Sequence, residues 1–575
     1  MIDYRAHAAF HQDLLQLFQN HQLPGDGHAL QDQLTQAALD LPDHALLGAF
    51  VDHLVWHANS DGVELGHVRT AAGLWQRGRD LYDRAGAARA DIEFALTNPA
   101  DPTAVTRFGR GFADLKAMTT DLKAISTEIT GLRTVLELLP HLATSHPRQR
   151  SAPIADWGLA DRFLARGTHL FFRELSGGTP EVTAFQTGVL SSYLGNVIGS
   201  GYLSSVTGGP RRAHRFRDRL ARNSLGAWTA QQHPIPGLTA MADRLSFGAA
   251  APADAAVPAD IRQAVETALE RTYSGLPATA DLDTGLRRMI EHLRLLDTFD
   301  LPPLPDPMSL TLLDTLEVSD LGAMAGGGVL GPANYGDDPQ PGSNAGNSQP
   351  TTADKSSSSG NDCGWVIAFV IVALLVVAID CIVQIIDHGE CDPAEVLPGG
   401  QDDEEPEGQV VVEGQFLTTA ASDGTGAHIV QHIIDVQTAL WQSFASARTF
   451  LATIGLIYPP AEQLGSPLFA QFLSAPADPG WPHREDPQAL ANYIFAPTTP
   501  QEQATPTRSP APSAARLFAA FPELAAELLA RWDADPVNLD LDADRGHRHP
   551  CWTVAESGRI TDQPVPVRVL GYKEI

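Results

Sequence analysis

The chain is expected to be mainly α: helical cytoplasmic domains, one transmembrane helix and a small α+β C-terminal domain. Three observations predict this. The run Trp365–Ile386, WVIAFVIVALLVVAIDCIVQII, is apolar except for Asp380 and Gln384 near its end. As α-helix it rises about 33 Å, close to the ~30 Å hydrocarbon core of a bilayer. A buried helix of a soluble core usually keeps a polar stripe, whereas Trp365 to Ile379 is apolar all round. The second observation is a heptad seam, Leu115, Met118, Leu122, Ile125, Ile129, Leu132, Leu136 and Leu139, which alternates steps of three and four without a miss. The third is a plausible strand, Gln409 to Glu413, that opens a C-terminal region otherwise marked by helical periodicity.

Taken in order, residues 1–148 read as a helical bundle that contains the heptad helix. The seam must bury itself, either against a helix near Val68 to Tyr82 or in a second copy of the chain. The intramolecular hairpin is favoured because a packed bundle is the commoner fate of one short seam. Thr144 to Pro153 is polar with two prolines and marks a boundary. Residues 149–321 read as helices separated by Gly-rich turns such as Ser176-Gly177-Gly178. Residues 322–363 are low in complexity and form a linker. The membrane helix occupies 364–386, and 387–408 is an acidic linker. The last region, 409–575, includes an amphipathic helix marked by Ile429, Ile433, Val436, Leu440, Phe444, Leu451 and Ile454, then a helix at Ala514 to Trp532.

At 575 residues the chain exceeds what one core usually serves, which sets a prior of about three domains. Its net charge of -30 argues against a general nucleic-acid binder. The first residues, MIDYRAHAAFHQDLLQLFQNHQ, lack a basic segment followed by an apolar one, so no cleaved signal peptide is expected. Residues before the apolar run are therefore expected to stay cytoplasmic, with the run as a signal anchor and the C-terminal part outside. Loop charges agree faintly: Lys355 precedes the run, and no Lys or Arg lies within twenty residues after it. Cys391 and Cys551 would then share an oxidising exterior and can pair, or all four cysteines stay as thiols.

Residues 186–228, QTGVLSSYLGNVIGSGYLSSVTGGPRRAHRFRDRLARNSLGAW, carry the most specific pattern. This segment resembles the helical zinc-dependent phospholipase C-like domains of bacteria, with Gly188, Val189, Leu190, Ser191, Gly199, Tyr202, Ser205, Gly208, Gly209, Pro210, Arg212 and His214 in register. Where that family has His, Asp and His, this chain has Ser192, Asn196 and Ser200. Spacings of four put the three on one helix face. Zinc needs imidazole, thiolate or carboxylate ligands, so the resemblance implies a dismantled hydrolytic site, with no metal, no cofactor and no enzymatic activity. Arg211, Arg212, His214 and Arg215 are candidates for contact with phosphate or anionic lipid, since Arg forks recognise phosphate well. The alternative is that the arginine run simply pairs with nearby acids.

Other candidates are weaker. His53 and His57 stand at i and i+4 on a probable helix, but no H-E-x-x-H pattern surrounds them. Asp540, Asp542 and Asp544 begin like a calcium loop, yet glycine falls at the seventh position and Cys551 stands where the twelfth-position Glu belongs. Together the remnant, the Gly/Ser linker, the apolar run and 35 Arg against four Lys resemble the membrane proteins encoded beside phage-tail-like contractile injection systems in Streptomyces and its relatives. That resemblance implies a single-pass membrane adaptor that docks a large cytoplasmic assembly, with membrane lipid as a second partner, a possible homo-oligomer, and host cell death following. The alternatives are an active lipid hydrolase that keeps His169 and His214, and an effector that perturbs membranes.

Overall fold

The computed structural model describes residues 2–20, 28–60, 62–137, 159–165, 169–175, 178–207, 215–273, 281–313, 425–473, 514–530, 552–554 and 560–564. These residues are mainly helical, as expected. The chain divides into two units: residues 1–70, 134–299 and 451–575 form the first, and residues 71–133 and 300–450 the second.

The first unit is built around helix α9 (Pro180–Thr207), whose side chains from Val182 to Leu203 are buried almost without a break. A helix buried on every side has no solvent face and must be wrapped, its few polar side chains finding partners inside. The wrapping comes from α1 (Tyr4–Gln19), α2 (His28–Asp40), α3 (Pro42–Ala49), α10 (Arg215–Gln232) and α17 (Ala514–Ala530). A second layer holds α4 (Val51–Asn59) against α13 (Leu282–Leu296) and α7 (Leu159–Ala165). Helix α13 also meets α11 (Leu238–Leu245), and α12 (Ala259–Thr272) packs on α8 (His169–Glu174). Local chemistry sets the helix starts. Asp3 accepts from the Ala6 N–H at 2.9 Å, Asp281 accepts from the Thr284 N–H at 3.0 Å, and Pro42 opens α3, where a missing N–H costs nothing.

Glycine decides how closely the central helices cross. A Cβ on Gly188 would stand 1.9 Å from the Ala45 carbonyl oxygen, and one on Gly48 would stand 2.0 Å from that of Phe185. The two glycines therefore let the backbones of α3 and α9 touch.

The second unit contains an antiparallel hairpin of α5 (Val63–Thr97) and α6 (Ala104–Glu137). Ion pairs Arg77–Glu128, Arg84–Asp121 and Arg110–Asp91, at 2.7, 2.7 and 2.6 Å, run in opposite chain directions along the two helices. Leu115, Met118, Leu122 and Ile125 of the heptad seam are buried, and Ile129 and Leu132 half-buried, so the seam finds its cover within the chain. Residues 300–309 and the short helix α14 (Leu310–Leu313) follow. Helix α15 (Thr425–Thr453) buries Ile429, Ile433, Val436, Leu440 and Phe444, the face expected from its periodicity. The first unit also holds a short helix α16 (Pro467–Ala470) and a small antiparallel hairpin, β1 (Trp552–Val554) with β2 (Ile560–Pro564).

Contacts group the described residues differently from the boundaries that composition sets. The division at 148/149 is not where the packing divides, because α1–α4 belong with α9 and most of α5 and α6 belong with residues 300–313 and 425–450. Residues 451–473 and 514–530 pack within the first unit. The Tyr202 hydroxyl donates to the Phe472 carbonyl at 2.6 Å, Asn223 Nδ2 donates to the carbonyls of Gly455 and Ile457 at 2.9 and 3.0 Å, and Phe10 stacks on Phe518 and Phe521 at 4.7 and 4.4 Å. No helix among the described residues is long and apolar enough to cross a membrane. Trp365–Ile386 lies outside them, as do the strand expected at Gln409–Glu413, both linkers and all four cysteines.

The close crossing makes a paired prediction. Gly188→Ala should cost about 2–3 kcal/mol or more, because backbone rather than a flexible side chain must move. Gly66→Ala, in α5 with nothing within 4 Å of its Cβ, should stabilise by about 0.5–1 kcal/mol. Urea unfolding of the two variants checks both signs.

Candidate functional site

The face of α9 that carries Ser192, Asn196 and Ser200 is turned inward, and all three residues are buried. Asn196 stands at the centre. Its Oδ1 accepts from the Ile2 N–H at 2.9 Å, and its Nδ2 donates to Asp52 Oδ2 at 2.8 Å. The same carboxylate oxygen takes His7 Nε2 at 2.9 Å, while Oδ1 takes the backbone N–H of His53 at 2.8 Å. His53 Nε2 in turn meets the Ile2 carbonyl at 3.1 Å. One buried carboxylate therefore ties α1, α4 and α9 together.

Donor logic assigns the protons. A carbonyl only accepts, so His53 Nε2 carries a hydrogen toward Ile2, and a carboxylate only accepts, so His7 Nε2 carries one toward Asp52. Burial alone would raise the Asp52 carboxyl. His7 and His53, with hydrogen bonds from His7 and Asn196, outweigh it and hold the group well below the usual carboxylate range. Burial pushes His53 well below its ordinary value, the nearby Asp52 opposing it.

A second polar group lies on the other side of Tyr4. The Tyr4 hydroxyl meets His57 Nε2 at 2.9 Å and His292 Nδ1 at 3.2 Å. A hydroxyl has one proton, so one ring accepts from Tyr4 and the other donates to it. The Tyr4 ring also stacks on His53, centroids 3.9 Å apart. Burial, with His292 alongside, pushes His57 down to about 3. Farther along α1, His11 Nδ1 meets Ser191 Oγ at 3.2 Å. That hydroxyl already donates to the Gly188 carbonyl at 2.7 Å, so His11 is the donor. Burial pushes His11 down to about 4.

The metal question can be put to these atoms. His7, Asp52 and His53 each offer a ligand atom, all within 4.8 Å of one another. In the arrangement described, these atoms engage one another: His7 Nε2 and the Asn196 amide donate to Asp52, His53 Nε2 donates to the Ile2 carbonyl, and His7 Nδ1 is buried without a hydrogen-bond partner. Asn196 joins the cluster by hydrogen bonding.

Of the residues singled out in the sequence, the structure brings Ser192, Asn196 and His53 into one cluster. His53 and His57 both meet Tyr4, His53 by ring stacking at 3.9 Å and His57 through the hydroxyl at 2.9 Å. His7 and Asp52 escape sequence reading because nothing local marks a carboxylate whose partners are 45 and 144 positions away. Arg211, Arg212 and His214 lie outside the described residues, as does the side chain of Arg215. Of the later arginines, Arg219 pairs with Glu64 at 3.1 Å and Arg222 with Asp218 at 2.8 Å, while Arg217 donates to the Thr207 carbonyl at 3.2 Å. His169 opens α8, and Asp540 to Cys551 falls outside the description.

These histidines predict acid lability. A group whose pKa is lower folded than unfolded loses stability as pH falls from its unfolded value, near 6.5, toward its folded one. His11 and His57 should each remove about 1–2 kcal/mol of unfolding free energy between pH 7 and pH 5. Asp52, whose pKa is depressed, adds a loss of the same sign only below about pH 4. Urea unfolding at the two pH values should show the drop, and His11→Gln should flatten it by about one proton's worth of slope; an unchanged slope would overturn the assignment.

Comparison with known proteins supplies no further constraint. No protein-family model matches this chain, and no curated protein or solved structure matches it.

Proposed function

We propose that this chain is a non-hydrolytic adaptor that docks a large protein assembly, of the phage-tail-like contractile kind, at a membrane. The observation that carries the non-hydrolytic half is Asn196. Its amide bridges Asp52 and Ile2, so the position that resembles a metal ligand has become a hydrogen-bonded joint. A metal-bound hydroxide is the nucleophile in phospholipase C-like chemistry, and a neutral amide at position 196 is a poor ligand for the metal that makes it. The adaptor half is supported by the resemblance of the chain's make-up to injection-system membrane proteins. In this reading Trp365–Ile386 provides the membrane attachment. The packing of residues 451–473 and 514–530 into the first unit favours both flanks on one face for as long as that packing lasts.

Two experiments test the two halves separately. Purified full-length chain should contain far less than stoichiometric zinc and leave phosphatidylcholine vesicles intact; stoichiometric zinc with lipid hydrolysis would overturn the reading. Asn196→Asp sharpens the test, since it sets a second carboxylate against Asp52 at the present 2.8 Å contact. Without metal that variant should lose about 3–5 kcal/mol, and added zinc should recover part of the loss. For docking, a large contractile particle should co-purify from detergent-solubilised membranes and be lost when residues 365–386 are deleted. If no particle is recovered, the adaptor reading fails.

A further inference from the structure

Residues 301–307, Leu-Pro-Pro-Leu-Pro-Asp-Pro, enter the second unit as a strap. Prolines at 302, 303, 305 and 307 fix φ near -65°, and residues that precede proline are driven to extended backbone, so the segment is preset for a polyproline-II helix. Such a helix has three residues per turn and makes no internal hydrogen bonds. Burial follows that period: Pro302 and Met308 are buried and Pro305 half-buried, while Pro303, Leu304, Asp306 and Pro307 are exposed. One edge of the strap faces the protein, and its carbonyls need outside donors.

Side chains of two helices supply them. Arg79 donates to the Asp300 carbonyl at 3.1 Å, Tyr82 to that of Pro303 at 2.5 Å, and Arg89 to those of Asp306 and Pro307 at 2.5 and 2.6 Å, all from α5. Trp441 of α15 donates its indole N–H to the Pro302 carbonyl at 2.9 Å. Glu93 closes the row by accepting from the Ser309 N–H at 2.7 Å and pairs with Arg89 at 3.4 Å. All the hydrogen bonds of this row go to strap backbone, and the ion pair to a strap side chain, Arg448 with Asp300, is long at 3.9 Å. The groove therefore reads mainly conformation, which is how aromatic-lined grooves take proline-rich ligands.

We propose that the face formed by Arg79, Tyr82, Arg89 and Trp441 is an acceptor groove for a polyproline-II segment of another protein, covered in cis by residues 300–309. The strap is the template for its ligand: a proline-rich stretch with an apolar residue at every third position and carbonyls free for the same donors. The tethered strap sits at an effective concentration in the millimolar range, so a partner enters when the strap is released or competes in excess. This holds or fails independently of the Asn196 reading, since all its residues belong to the second unit.

The test uses the full chain and a labelled synthetic peptide with the sequence of residues 300–309. The double variant Pro302→Gly/Pro305→Gly loosens the strap and leaves the groove intact. Fluorescence anisotropy should show it binding the peptide at least tenfold more tightly than the unaltered chain, and Arg89→Ala added to it should abolish the gain. Equal binding to both chains, or none to the strap variant, overturns the proposal. Hydrogen exchange on the unaltered chain guards against misfolding of the variant: excess peptide should speed exchange at Ser309, and no change up to millimolar peptide also overturns it. A concentration-dependent dimer of the unaltered chain, with peptide without effect, would instead show strap exchange between copies and count against a foreign partner.

Discussion

The first unit depends on one buried carboxylate. Asp52 has no access to water, and an isolated charge there would cost several kcal/mol. Three donors surround it: His7, the Asn196 amide and the His53 backbone N–H. Each comes with its own element, so satisfying the charge fixes α1, α4 and α9 relative to one another. Asn196 is suited to the centre because an amide both donates and accepts. Its neutral oxygen can take the Ile2 N–H while its nitrogen faces Asp52, whereas a carboxylate in that place would repel Asp52 unless a cation came between them.

Around this joint the packing is unusually close. Gly48 and Gly188 bring the backbones of α3 and α9 together. Gly285 lies near the Leu54 carbonyl, where a Cβ would sit at 2.7 Å, and does the same for α13 and α4. Backbone contact of this kind allows small side chains to fill a core without voids and gives little freedom to slide. The polar groups in the notch are then held by a rigid shell, which allows hydroxyls and imidazoles in the interior to keep a single pattern of hydrogen bonds.

The second unit is organised on a different principle. Its hairpin carries ion pairs on the outside and the heptad seam within, and exposed pairs of that kind add little stability. The distinctive element is the strap, whose backbone is read by side chains of α5 and α15. Helix packing gives this unit its form, and a covered groove gives it a surface on which a partner can act.

Much of this was legible in the sequence because it depends on neighbours along the chain. Periodicity is a local property, so the heptad helix, the apolar face of α15 and the helix beginning at Ala514 could be read from spacing. Proline content likewise marked where helix must stop, and the spacing of Ser192, Asn196 and Ser200 put them on one face. The tertiary structure alone decided what that face meets. His7 and Asp52 reach Asn196 across long stretches of chain, and residues after 450 return to the core begun by residues 2–20. Neither is encoded in any short pattern, because a helix buried on every side requires a cover without specifying which distant segment supplies it. Contacts group the described residues differently from the linkers for this reason: composition marks where chain is extended or polar, while a core is defined by which surfaces exclude water together.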